Sequence, residues 1–490
     1  MEAPSPISVG AEVDGSLRAG DRGRDRNGEA LGRGLDKPCH IPTKKLELAR
    51  RHAPPLSIPL RFMLTGLVTL WVGVIWLSVR PDLLVEYHYG PQIIALAHLI
   101  AIGFVGSVVM GVIYQMFPVV LGSIVEGGNE VDGGAGMVRL YSEKLARRHY
   151  WFHTVGFVGM VAMFWIWNIK QVGHFGSVFA TGVGIFAWNI WKTYKPHRVR
   201  HPVVFGVLSS VTWLVSAVLA GLYLASAKSW PKISFFNPLS QLHGHAHLAL
   251  LGAFVILLVG ASYRMLPMFL LSEIQSVKRA WVSLILLDVG LLGLVPAMTL
   301  SLEWKCLFAW VICSGLGCFA MEARAMFGAR KRRQLDLGLK VFLGALCMLG
   351  VVAFFGVILS WPGRAPTEFL VQLENVYGYL AVFGVLTPAI QAILLKVMPF
   401  LVWTRAYGHQ VGIRPTPTLA EMGSHWLQLG FAICYGVGVL GAGVGIALKM
   451  SGVVQGAWIL VVVAEILYAA NVVKVLRHLG VRGTDRAGTA

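Results

Sequence analysis

The sequence predicts an all-α fold: a polytopic membrane protein with twelve transmembrane helices in three quasi-equivalent groups of four. Three observations carry this expectation. Of 490 residues, 56% are hydrophobic and only 13% charged, with mean hydropathy +0.66; a water-soluble domain could not cover so much apolar surface with so few charges. Apolar runs near twenty residues long, each able to cross a bilayer, recur along the chain, and the alternating ten-residue segments of a membrane β-barrel are absent. Three of the runs also repeat one another in register.

Residues 1–57 are polar and rich in glycine and arginine, with acids interspersed. Such a composition cannot bury a core, and the segment is expected to be a disordered basic cytoplasmic tail. No apolar core follows its charged start, so it does not read as a signal peptide. Lys44, Lys45, Arg50 and Arg51 precede the first span, roughly 59–79, and Arg80 separates it from the second, 92–121. Lys144, Arg147 and Arg148 precede the third, roughly 150–168, and Lys170 the fourth, 173–192. Lys192, Lys195, Arg198 and Arg200 lead into the fifth, roughly 202–226; Lys228 and Lys232 lie before the sixth, 244–271. Lys278 and Arg279 precede the seventh, roughly 280–300, and Lys305 heads the eighth, 305–322. Arg330, Lys331, Arg332 and Arg333 precede the ninth, roughly 340–361, and Arg364 the tenth, 372–402. Arg405 and Arg414 precede the eleventh, roughly 424–448; Lys449 precedes the twelfth, 453–475, which Lys474, Arg477 and Arg482 close. Dense and sparse basic connections thus alternate, which places the dense side and both termini in the cytoplasm. The transmembrane domain is expected over 58–476 and a cytoplasmic C-terminal tail over 477–490. The formal charge of +18 follows from this topology. It is split among many loops rather than gathered on one face, which argues against a nucleic-acid partner.

The repeats are HLIAIGFVGSVVMGVIYQMFP from His98, HLALLGAFVILLVGASYRMLP from His247, and YLAVFGVLTPAIQAILLKVMP from Tyr379. Leu99, Leu248 and Leu380 follow at once; Gly103, Gly252 and Gly384 lie five residues on; Pro118, Pro267 and Pro399 close the stretches. They form the second, sixth and tenth spans, so the period is four helices. All three run from outside to inside, which sets His98, His247 and Tyr379 at one depth toward the outer face. The glycines suit close helix approach or room for a flat ligand.

Histidine is costly in lipid and marks functional sites there. His98 reads as an axial haem ligand or as a polar residue bonded to a neighbouring helix. In QLHGHAHLALLG, His243 and His247 share a helical face and His245 points away; the cluster suits copper, zinc or haem iron, with His247 as the membrane-side ligand and His243 or His245 as partners. Tyr379 takes the histidine's place in the third copy, with Tyr377 where His245 would fall and Glu374 and Asn375 just above. Tyrosine ligates ferric haem in some proteins, but an interfacial aromatic is the simpler reading. Asp288 and Glu465 lie within apolar spans, as proton-path carboxylates or buried hydrogen-bonding groups. His149, His153 and His425 begin inward-side spans and are expected at the interface or in loops. The six cysteines are scattered, without C-x-x-C-H, which excludes covalently attached haem of the c type. No Walker loop, dinucleotide fingerprint, G-x-S-x-G or H-E-x-x-H occurs.

Twelve spans in groups of four, with histidines near the outer ends of the second and sixth and the H-L-x-x-x-G to Y-x-M-x-P pattern, resemble subunit I of the haem-copper oxidases. The pattern is closer still to divergent bacterial subunit-I-like proteins and the NnrS family linked to nitric oxide. The resemblance covers about residues 59–475. It implies a bacterial inner-membrane protein in which His98 binds haem b and His247 or a neighbour binds copper, with cytochrome or other oxidase-like subunits as partners besides the lipid bilayer. The family's tenth-span histidine pair is replaced by Tyr377 and Tyr379, and the seventh span lacks its copper histidines, so a complete haem-copper centre is not expected. What the resemblance leaves is haem or metal binding in electron transfer or nitric-oxide- or oxygen-related redox chemistry. A proton- or ion-coupled secondary transporter using Asp288 and Glu465, and a non-catalytic oxidase assembly factor, are the alternatives.

Overall fold

A computed structural model of the chain describes residues 54–86, 89–126, 138–363, 367–411 and 413–480. The expected N-terminal tail up to residue 53, and residues 481–490 of the expected C-terminal tail, lie outside this range.

The described residues hold helices and no strand. Twelve are long: α1 (Ser57–Val79), α2 (Pro91–His98, Leu99–Gly106 and Ser107–Glu126 in one rod), α3 (Glu143–Trp165), α4 (Ile169–Tyr194), α5 (Pro202–Ser229), α6 (Pro238–His247, Leu248–Val255 and Ile256–Leu270), α7 (Val277–Thr299), α8 (Lys305–Gly328), α9 (Leu337–Ser360), α10 (Glu368–Tyr379, Leu380–Leu386 and Thr387–Ala406), α11 (His425–Ala447) and α12 (Ser451–Arg477). Ten of these are long and apolar enough to cross a bilayer. The other two are α3, whose first turns carry Glu143, Lys144, Arg147 and Arg148, and α4, diluted by Gln171, His174, Ser177 and Thr181. Ile433, Val437, Leu440 and Val444 form an outward stripe on α11, each more than half exposed, as a lipid-facing helix requires.

The three repeat helices share a defect as well as a sequence. The segment after His98, after His247 and after Tyr379 is π-helical in each case. A π turn holds one residue more than an α turn and recurs at functional sites. Its bonds reach back five residues: the N–H of Ser107 donates to Ile102 O, Ile256 to Leu251 O, and Thr387 to Val382 O. Inside each π turn the shared glycine admits the preceding helix. A methyl on Gly103 would lie 3.1 Å from Thr69 Cβ in α1, one on Gly252 2.8 Å from Trp213 Cβ in α5, and one on Gly384 2.9 Å from Met348 Cγ in α9.

A second device also occurs three times. Ser142, Ser276 and Ser424 are the N-cap residues of α3, α7 and α11. A buried side chain on the next helix accepts each serine's backbone N–H: Asn189 Oδ1 at 3.0 Å, Glu322 Oε1 at 3.0 Å and Asn471 Oδ1 at 2.8 Å. These bonds span 47, 46 and 47 residues of sequence. They satisfy donors that a helix start leaves without a partner, and they lock each third helix to its fourth. Glu322 also accepts from Gln275 N and from Arg279 Nε at 2.8 Å.

The expectation for His149 and His153 does not hold. Both are fully buried inside α3: Ser142 caps that helix well before them, accepting the Leu145 N–H at 3.2 Å, and Phe62, Phe157, Phe179 and Phe186 pack on their rings.

Candidate functional site

The N-terminal halves of α2, α6 and α10 surround a cavity of about 570 Å³, within the size range of cofactor and ligand sites. Its walls are chiefly leucine, isoleucine, valine and alanine, among which His98, His243, His245, His247 and Tyr377 stand out. Lys305, Glu374, Asn375 and Tyr379 also line it, and three of the histidines are held by local bonds. His98 Nδ1 donates to Ile94 O at 2.8 Å, His247 Nδ1 to His243 O at 2.8 Å, and His245 Nδ1 to Ala217 O on α5 at 2.9 Å. A carbonyl can only accept, so in each neutral ring Nδ1 carries the hydrogen and Nε2 keeps the lone pair.

The rings meet in pairs, and the pairs follow one rule. The first residue of one repeat faces the residue two before the first of the next repeat. His98 faces His245, with ring centroids 6.1 Å apart and planes 17° from parallel. His247 faces Tyr377, with centroids 6.0 Å apart and planes at 23°. By the same count Tyr379 would meet Leu96, which offers no polar atom. Tyr379 is instead buried, its hydroxyl donating to Val439 O on α11 at 3.1 Å.

The two pairs differ in what lies between them. The Tyr377 hydroxyl donates to His247 Nε2 at 3.1 Å, which closes that pair. Between His98 and His245 no hydrogen bond forms, and each ring keeps the lone pair on Nε2. Phe164 packs on the His98 ring, centroids 4.6 Å apart. Gly221 makes room for His245: a methyl there would lie 3.0 Å from its Cε1. His243 is hydrogen-bonded to Tyr89. The clustered histidines thus turn three ways, and among the described residues no three His, Cys, Asp or Glu side chains converge to hold a metal.

The two carboxylates tie helices together. Asp288 on α7 accepts from Ser209 Oγ at 2.6 Å and Trp213 Nε1 at 2.8 Å, both on α5. Glu465 on α12, 1% exposed, accepts from Gln391 Nε2 of α10 at 2.8 and 2.9 Å. Neither is among the residues lining the cavity. Tyr377, Phe164 and Gly221 are the site residues the sequence did not single out as ligands or supports. The repeat register pointed to Tyr377 as the counterpart of His245; the other two carry no sequence signal.

The chain matches no known protein-family model, and no curated protein matches it in sequence.

Proposed function

We propose that this chain is a membrane haem protein of oxidase-like design: twelve spans in three groups of four in a bacterial inner membrane, termini inside, with one haem of the b type held by His98 and His245. The observation that carries the reading is the open, parallel His98–His245 pair. Two imidazoles on opposite sides of one metal ion, each about 2 Å from it, put their ring centroids roughly 6 Å apart, close to the 6.1 Å found. Each ring gives its second nitrogen to a backbone carbonyl, the arrangement that fixes tautomer and orientation in metal-bound histidine. The apolar cavity suits a flat hydrophobic cofactor. The thrice-repeated π turn and serine cap support the grouping of the helices.

Haem bound there would supply one-electron chemistry at iron, in electron transfer or in reactions of a small gas such as nitric oxide or oxygen. The chain's own residues then have plain tasks. His98 and His245 would hold the iron, Phe164 and Gly221 would fix the two rings, and the leucine and isoleucine walls would keep water away. His247 is left with Tyr377 as a hydrogen-bonded pair at the edge of the same cavity, which makes it the weaker candidate for iron or copper.

The test is the visible spectrum of detergent-solubilised protein, oxidised and reduced. We expect a Soret band of bis-imidazole type, lost in His98→Ala and in His245→Ala and kept in His247→Ala. A colourless wild-type protein made with ample haem overturns the proposal.

A further inference from the structure

We infer that His149 and His153 on α3 form a second ligand site, separate from the cavity, for a single monovalent copper ion. Seven and eleven residues after the capping serine, α3 carries His149 and His153, α7 carries Ser283 and Leu287, and α11 carries Phe431 and Tyr435. The same fold is therefore built in its two other groups without imidazole at either position. Two histidines that are 0% exposed are costly unless something engages their nitrogens.

Only half of those nitrogens are engaged. His149 Nδ1 bonds the Tyr114 hydroxyl at 3.0 Å, and His153 Nε2 bonds the Ser107 hydroxyl at 2.7 Å. His149 Nε2 and His153 Nδ1 are buried without a partner. One ring nitrogen on an oxygen and the other free is the pattern of a histidine prepared for a metal. Spacing of four residues sets both rings on one face of α3. Their centroids are 5.6 Å apart, inside the roughly 6 Å that two imidazoles can span around one ion with bonds of about 2 Å.

The surroundings choose the ion. The donor set is neutral, so a monovalent ion leaves the least uncompensated charge in an apolar place. Phe62, Phe157, Phe179 and Phe186 pack on the two rings at centroid distances of 5.1 to 5.7 Å, and aromatic faces attract cations. Structural zinc takes four ligands, more than this site offers. Imidazole binds copper well, and the cuprous ion accepts two nitrogen donors.

The experiment uses full-length protein in detergent, loaded with cuprous ion under reducing conditions against a chelating competitor, then desalted and assayed for copper per chain. Two double variants copy the sister helices and so keep side chains this fold accepts: H149S/H153L after α7, and H149F/H153Y after α11. We expect one copper per chain in the wild type and in H98A/H245A, and none in either double variant that elutes as folded protein. X-ray absorption of the copper-loaded wild type should show two imidazole nitrogens about 2 Å from copper, a reading that needs no variant. A wild type that retains no copper, a copper spectrum without the imidazole pair, or equal retention by a folded double variant overturns the inference. Haem content does not enter these readouts, so the site stands or falls apart from the His98–His245 proposal.

Discussion

His98 faces His245, and His247 faces Tyr377, across the same step from one repeat to the next, with ring centroids 6.1 and 6.0 Å apart. One hydrogen-bond donor separates the two. Where the second repeat places an imidazole opposite His98, the third places a phenol opposite His247, and the phenol can donate a hydrogen bond directly. Two rings that each keep a lone pair at Nε2 cannot hydrogen-bond one another; joining them takes a third party, an ion or a water. A donor opposite an acceptor needs none. The comparison teaches that equal depth and equal spacing do not make equal sites, and that complementarity between the facing groups decides which cleft stays available.

The largest effect expected is on the open pair. His98→Ala or His245→Ala should each remove the Soret band altogether, measured on purified protein, whereas His247→Ala should keep it; the reverse result would exchange the roles of the two pairs. Next comes the support behind His245. Gly221→Val places atoms against the His245 ring and should lower haem content severalfold. Gly356→Val, where a methyl would sit in ordinary contact 3.4 Å from Tyr377, should leave the spectrum unchanged. A smaller effect tests the closed pair: Tyr377→Phe removes the hydroxyl from His247 and should cost about 1 kcal/mol in thermal or denaturant unfolding, with the Soret band retained. Smallest is Tyr379→Phe, which deletes one interhelical hydrogen bond and should cost about 0.6 kcal/mol with no spectral change. A large spectral change in Tyr379→Phe would return that tyrosine to the cofactor and break the pairing rule.

A similar contrast holds between groups further along the repeat helices. Tyr114 and Tyr263 occupy matching places in the first two repeats, yet Tyr114 bonds His149 on α3 while Tyr263 bonds Ser283 on α7 at 2.5 Å. Serine fully answers a phenol with one hydroxyl. Histidine answers it with one nitrogen and leaves another over.

Much of this was legible in the sequence. Residues that alternate between long apolar runs and basic connections fix where helices lie, since lipid admits little else; each long helix lies within several residues of its expected position. The largest differences are at the starts of α3 and α6 and at the end of α8; the two starts come from polar first turns closed by Ser142 and Asn237, which hydropathy does not register. The repeat of leucine, glycine and proline foretold three like helices. His98 was legible as a cavity residue because imidazole is costly in lipid. His149 and His153 were misplaced because the span was expected to begin beside them, near residue 150, whereas the helix begins at Glu143; their spacing of four residues was a signal in plain view.

By itself the sequence determined the helical class, the positions and shared pattern of the repeat helices, and the polar residues that had to find partners. Only the tertiary structure decided which partners they found. A residue's depth follows from counting along the chain, but its direction depends on how each helix is turned about its axis and which neighbour lies beside it. Here that turn is set by the π segments, which add a residue per turn, and by glycines packed against α1, α5 and α9. That rotation set His245, rather than His247 or Tyr379, opposite His98.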